Sequence, residues 1–96
     1  MIWIKENPED KDSAEVCEVG AFNYRYHITL EEFPAGRYEF TCSMQKPVSK
    51  NGTCYWDSKD SLLGHAQGIK TAKGIARKHL KKQISLLNKT LRPRHY

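Results

Sequence analysis

The stretch FNYRYHITL, Phe22 to Leu30, alternates without a break. Phe22, Tyr24, Tyr26, Ile28 and Leu30 fall on one side of an extended chain, and Asn23, Arg25, His27 and Thr29 on the other. Successive side chains of a strand point to opposite faces, so a period of two with one apolar side predicts a half-buried strand. Such a strand needs a sheet to pair in and a second layer to cover its apolar side. The flanking sequence offers both.

EEFPAG, residues 31–36, supplies a loop with Pro34 and Gly36. Beyond it Tyr38, Phe40, Cys42 and Met44 alternate with Glu39, Thr41, Ser43 and Gln45, which predicts a second strand antiparallel to the first. Pro47 is expected to end that alternation or to mark a sheet edge, because proline has no amide hydrogen for a ladder. Asn51-Gly52 suits a type I′ hairpin, whose two central residues both need positive φ, and so a third strand, Thr53 to Asp57, folds back on the second. Val16 to Gly20 is read as a further strand and Ile2 to Ile4 as a short edge strand, with the polar run ENPEDKDSA, residues 6–14, as an exposed loop between them.

The covering layer comes last in the chain. Leu62 to Gly68, LLGHAQG, holds two glycines that each weaken a helix by about 1 kcal/mol, and it is read as a short strand or loop. Thr71 is then the expected N-cap of a helix running to about Asn88, with Pro93 barring further extension. At 100° per residue, Ile69, Ala72, Ala76, Leu80, Ile84, Leu87 and Leu91 share one arc, flanked by Ile75 and Leu86, and this arc is expected to pack on the sheet. His79 lies on its flank, where a packing role is expected. The fold class is therefore α+β: a small antiparallel sheet of three to five strands packed by one C-terminal amphipathic helix. The whole chain, 1–96, forms a single domain, in which 1–59 is mostly β and acidic, 70–90 is the basic helix and 92–96 a basic tail.

A 96-residue chain buries only about 60–65% of the surface its unfolded form exposes, so a deep substrate cavity is not expected. No G-x-S-x-G, no H-E-x-x-H and no phosphate-cradling glycine loop occurs, and no enzymatic activity is expected. Cysteines 17, 42 and 54 are odd in number and lack C-x-x-C spacing, which argues against a disulfide framework or zinc ribbon; buried free thiols are expected, and no metal or cofactor. The first apolar cluster is followed at once by KENPEDKD, unlike a secretory signal, and no window approaches the roughly 20 apolar residues of a membrane span. A cytoplasmic protein without a membrane partner is expected.

Charge carries the functional signal. Residues 1–59 hold seven Lys and Arg against ten Asp and Glu, whereas residues 60–96 hold nine Lys and Arg against Asp60 alone. Lys70, Arg77, Lys78, Lys81, Lys82 and Lys89 fall on the arc opposite the apolar stripe, with Lys73 at its border, and Arg92 and Arg94 follow in the tail. Surface helices are commonly charged, but one built for its own stability interleaves Glu with Lys at i, i+4, each pair gaining about 0.2–0.5 kcal/mol. Here Arg77 faces Lys81 and Lys78 faces Lys82, pairs that cost a similar amount unless an anion relieves them. Nucleic acid or a nucleoprotein is the expected partner, contacted through the backbone, since nothing predicts base readout.

The outer side of the sheet is a second candidate surface, with Arg25, His27 and Trp56 as residues for a protein contact. The layout of a small antiparallel sheet followed by GHAQGIKTAKGIARKHL opening a single C-terminal helix resembles, over residues 20–90, many small proteins of bacteriophages and other mobile elements. Among these are DNA-associated accessory proteins and inhibitors of host defence complexes, including some anti-CRISPR proteins. The likeness is one of layout, and no functional residue is carried over from it. It implies an alternative: an inhibitor or adaptor that docks on an acidic groove of a host protein through the helix, or uses the sheet face.

Overall fold

A computed structural model describes residues 1–57 and 61–91. The chain runs through β1 (Ile4–Lys5), β2 (Glu15–Val19), β3 (Tyr24–Phe33), β4 (Arg37–Lys50), β5 (Thr53–Asp57), β6 (Leu62–Ala66) and α1 (Ile69–Leu91). The strands form one antiparallel sheet in the order β1-β2-β3-β4-β5, and β6 also pairs with β4. One helix and one sheet make the α+β architecture that the alternating stretch implies.

Register follows from the alternation. Tyr26 lies opposite Cys17 on β2 and Met44 on β4, and Ile28 opposite Cys42, so the apolar sides of three strands stack on one face. Tyr26, Ile28 and Cys42 are fully buried there. Arg25, His27 and Thr29 pair with Gln45, Ser43 and Thr41 on the other face. Asn51 and Gly52 take φ of 53° and 77°, the positive values that the hairpin between β4 and β5 requires.

β4 does not end at Pro47 but continues to Lys50. Its partner β3 reaches only as far as Gln45, while β5 takes over the opposite edge from Lys46 onward. In a two-residue hairpin Lys50 and Thr53 form a hydrogen-bonded pair, so the wide and narrow pairs alternate and Pro47 turns its nitrogen away from β5. That side of Pro47 is the edge β3 has already left, and its missing N–H interrupts no ladder.

Leu62–Ala66 is a strand, not the start of the helix. Gly64 explains this: a Cβ there would sit 3.2 Å from Ile75 Cδ1, so the glycine lets α1 come down close to β6. The helix opens two residues before the expected Thr71 cap, because the Gly68 carbonyl accepts the Ala72 N–H at 3.0 Å. An earlier start brings Ile69 against the core.

Candidate functional site

α1 spans 23 residues, about 34 Å at the usual rise. Its first part is seated by small side chains: Ala72 and Ala76 are fully buried and allow close approach to β3, β4 and β6. His79 is anchored by a 2.8 Å hydrogen bond between its Nδ1 and the Tyr26 hydroxyl, which also meets the Tyr24 hydroxyl at 3.0 Å. Burial, helped by Lys82, holds the His79 imidazole below its usual 6.5, and burial pushes the Tyr26 phenol up. A neutral His79 accepting at Nδ1 makes Tyr26 the donor and frees the Tyr26 oxygen to accept from Tyr24. The packing role expected for His79 is thus a specific polar one.

This seating orients the opposite arc outward. Lys70, Arg77, Lys78, Lys81, Lys82 and Lys89 are all exposed, and none has an ion-pair partner among the described residues. Lys70 and Lys89 are 19 residues apart, about 28 Å along the axis. No acidic residue occupies the first turn of α1, where the helix dipole would favour one, and Lys70 stands there instead.

Lys73 departs from the expected set. Its Nζ donates to Glu15 Oε1 at 3.0 Å and lies 5.5 Å from the centre of the Trp3 ring. At the border of the apolar stripe it reaches a carboxylate that β2 presents between β1 and β3. Its charge is therefore answered within the molecule, and it leaves the anion-binding set. Arg92 and Arg94 lie outside the described residues.

The apolar arc is corrected at its far end. Ile84, Leu86 and Leu87 do not pack on the sheet, and every described side chain from Ile84 to Lys89 is exposed. Gln83 still borders a hollow with Phe22, Tyr24, Met44 and His79. Beyond it the helix runs past its support.

On the open face of the sheet Arg25, His27 and Trp56 do come together, as a network that also includes residues not singled out in the sequence. Arg25 Nε donates to Gln45 Oε1 at 2.6 Å, its Nη2 donates to Glu6 Oε1 at 3.2 Å, and its guanidinium carbon sits 4.6 Å from the centre of the Trp56 ring. His27 Nε2 lies 3.7 Å from the same Glu6 oxygen. Burial lowers the His27 imidazole despite Glu6, so the contact is not an ion pair at neutral pH. Beside this network, Thr41 Oγ1 and His65 Nδ1 share a 2.9 Å hydrogen bond, with the Phe33 ring against His65. Glu6 and Glu15 both come from the acidic first third of the chain, and only the fold reveals which cations they reach.

Of the three cysteines, Cys17 and Cys42 are buried as expected and Cys54, near the tip of the β4–β5 hairpin, is exposed. Burial pushes the Cys42 thiol up to about 11. Among the described residues no group of His, Cys, Asp or Glu is arranged to hold a metal ion, and no helix is long and apolar enough to cross a membrane.

Comparison of the chain with protein-family models, with curated proteins and with solved structures finds no match. The functional reading therefore rests on charge and geometry.

Proposed function

We propose that the outward face of α1 binds nucleic acid, free or within a nucleoprotein complex, through its phosphate backbone. One observation supports this above the others: six exposed cations on a single helical arc have no acidic partner among the described residues, while the seventh, Lys73, is paired. An isolated helix gains nothing from placing Arg77 beside Lys81 and Lys78 beside Lys82, and a phosphate chain removes that repulsion. Duplex DNA carries about one charge per 1.7 Å of axis, so a row about 28 Å long can engage several phosphates at once. Recognition is of charge and backbone, without base readout. In this reading the chain is a non-enzymatic accessory protein of the kind that phages and other mobile elements encode.

The test is retention on heparin and binding to duplex DNA across a salt series. With all six cations engaged, the slope of log K against log salt is about −5. Lys78→Glu/Lys82→Glu, both on the solvent side, abolishes the binding and leaves the fold intact by circular dichroism. Binding that ignores salt, or no binding at all, overturns the reading; capture of a protein that survives nuclease treatment would favour the inhibitor or adaptor alternative.

A further inference from the structure

Beside the cation row of α1 lies a hollow of about 240 Å³ between helix and sheet, lined by Phe22, Tyr24, Met44, Lys46, His79 and Gln83. Rings and a thioether make its walls. A single 3-10 turn, Gly20–Phe22, closed by the Asn23 N–H on the Gly20 carbonyl at 3.2 Å, sets Phe22 just ahead of β3. There its ring stacks on Tyr24, with centroids 5.7 Å apart and planes 14° from parallel. The polar groups at the rim are free: neither the Gln83 amide nor the Lys46 ammonium has a hydrogen-bond or ion-pair partner among the described residues. Asp57, opposite Lys46 on β5, lines the neighbouring hollow and not this one. The hollow adjoins the cation row. His79 and Gln83 are one turn apart on the helix flank, Lys82 bears on the His79 imidazole from three positions on, and Lys78 stands one turn before Lys82.

We propose, resting on the nucleic-acid reading above, that this hollow takes an unpaired nucleobase, so that the ligand held by the cation row is a single strand. Lys78 and Lys82 hold phosphates, and a base on that backbone reaches the mouth of the hollow. It slides against Phe22 and Met44, and the Gln83 amide, with donor and acceptor both free, meets its polar edge. A base inside a duplex cannot enter, because its edge is paired and its faces are stacked. Wall chemistry and charge together select this occupant. A carboxylate side chain answers the lysines and leaves the rings uncovered, whereas an apolar side chain covers the rings and leaves the Gln83 amide unanswered. A base on a phosphate chain is apolar on its faces, polar at its edge and tethered to anions. Stacking of this kind is tolerant of sequence, since every base has a π-face, and it adds affinity without base readout.

The test compares two single strands with the same number of phosphates, an oligothymidine of about 15 nucleotides and its abasic counterpart, each titrated with the full chain across a salt series. The intact strand is expected to bind about tenfold more tightly. The two slopes of log K against log salt agree, because the phosphates are the same. Phe22→Leu, which keeps apolar bulk and removes the ring, brings the intact strand down to the abasic level and leaves abasic binding unchanged. Gln83→Ala, on the helix flank, lowers binding of the intact strand alone, and circular dichroism checks the fold of both variants. Equal binding of the intact and abasic strands overturns the base site and leaves the nucleic-acid reading in place, whereas binding of neither strand nor duplex overturns both. A preference for the intact strand that survives both substitutions puts the base elsewhere and overturns the assignment. So does displacement of the intact strand by thymidine monophosphate, or by an acidic glutamate-tyrosine peptide, at the concentration at which unlabelled strand displaces it.

Discussion

From Ile69 to Gln83, α1 rests on β3, β4 and β6 through Ala72, Ala76 and Leu80, whereas from Ile84 to Lys89 the same apolar spacing faces solvent. The two halves differ little in pattern and greatly in surroundings. In the seated half the side chains are small where the sheet is near, and Gly64 and Ala76 set how close the layers come. In the projecting half they are large and uncovered, although burying a Leu or Ile side chain is worth about 1.5–3 kcal/mol. The contrast teaches that periodicity marks the face available for burial, while the extent of the underlying layer decides how much of that face is buried.

Substitutions can break or sharpen the contrast. The largest effect is expected at Ala76→Leu, where the added bulk has no room between helix and sheet and costs about 1–3 kcal/mol in urea unfolding. A neutral result would mean that the helix lifts readily and the seated half is no more constrained than the projecting one. Tyr26→Phe comes next. It removes the hydroxyl that hydrogen-bonds both His79 Nδ1 and the Tyr24 hydroxyl, and a loss of about 1 kcal/mol is expected, moderated because His79 is only half-buried.

Acidification probes the same anchor. His79 and His27 both sit below their usual 6.5 in the fold, so the unfolded chain binds protons that the native one refuses. Stability is then full above about 6.5, falls as pH drops through that value and continues to fall until the native imidazoles also titrate. Thermal unfolding between pH 7.5 and 5 checks the sign, and His79→Gln should flatten the part of the slope that belongs to the seated half. The smallest effect is expected at Leu87→Ala, within about 0.5 kcal/mol, because little contact is lost and alanine favours helix. A loss matching that of Ala76→Leu would show that the projecting half is supported after all.

Much of the sheet was legible because local rules govern it. Strict alternation located β3, the Asn51-Gly52 dipeptide located the turn into β5, and the apolar arc identified the covering face of α1. The candidate site was legible only in part. Six of the described cations project outward as their helical positions imply, but Lys73 does not, since Glu15 lies 58 positions earlier in the chain and no local pattern links the two. Trp56 over Arg25, and Glu6 reaching both Arg25 and His27, belong to the same class of distant encounter.

The amino-acid order by itself determined which residues alternate, which turn, which share a helical face and where charge of one sign accumulates, because each of these depends on neighbours within a few positions. Tertiary structure alone decided that Pro47 lies inside a strand, that Lys73 is paired, and that Ile84 and Leu87 stand clear of the sheet. Those outcomes depend on where one element ends relative to another, a distance that no local period contains.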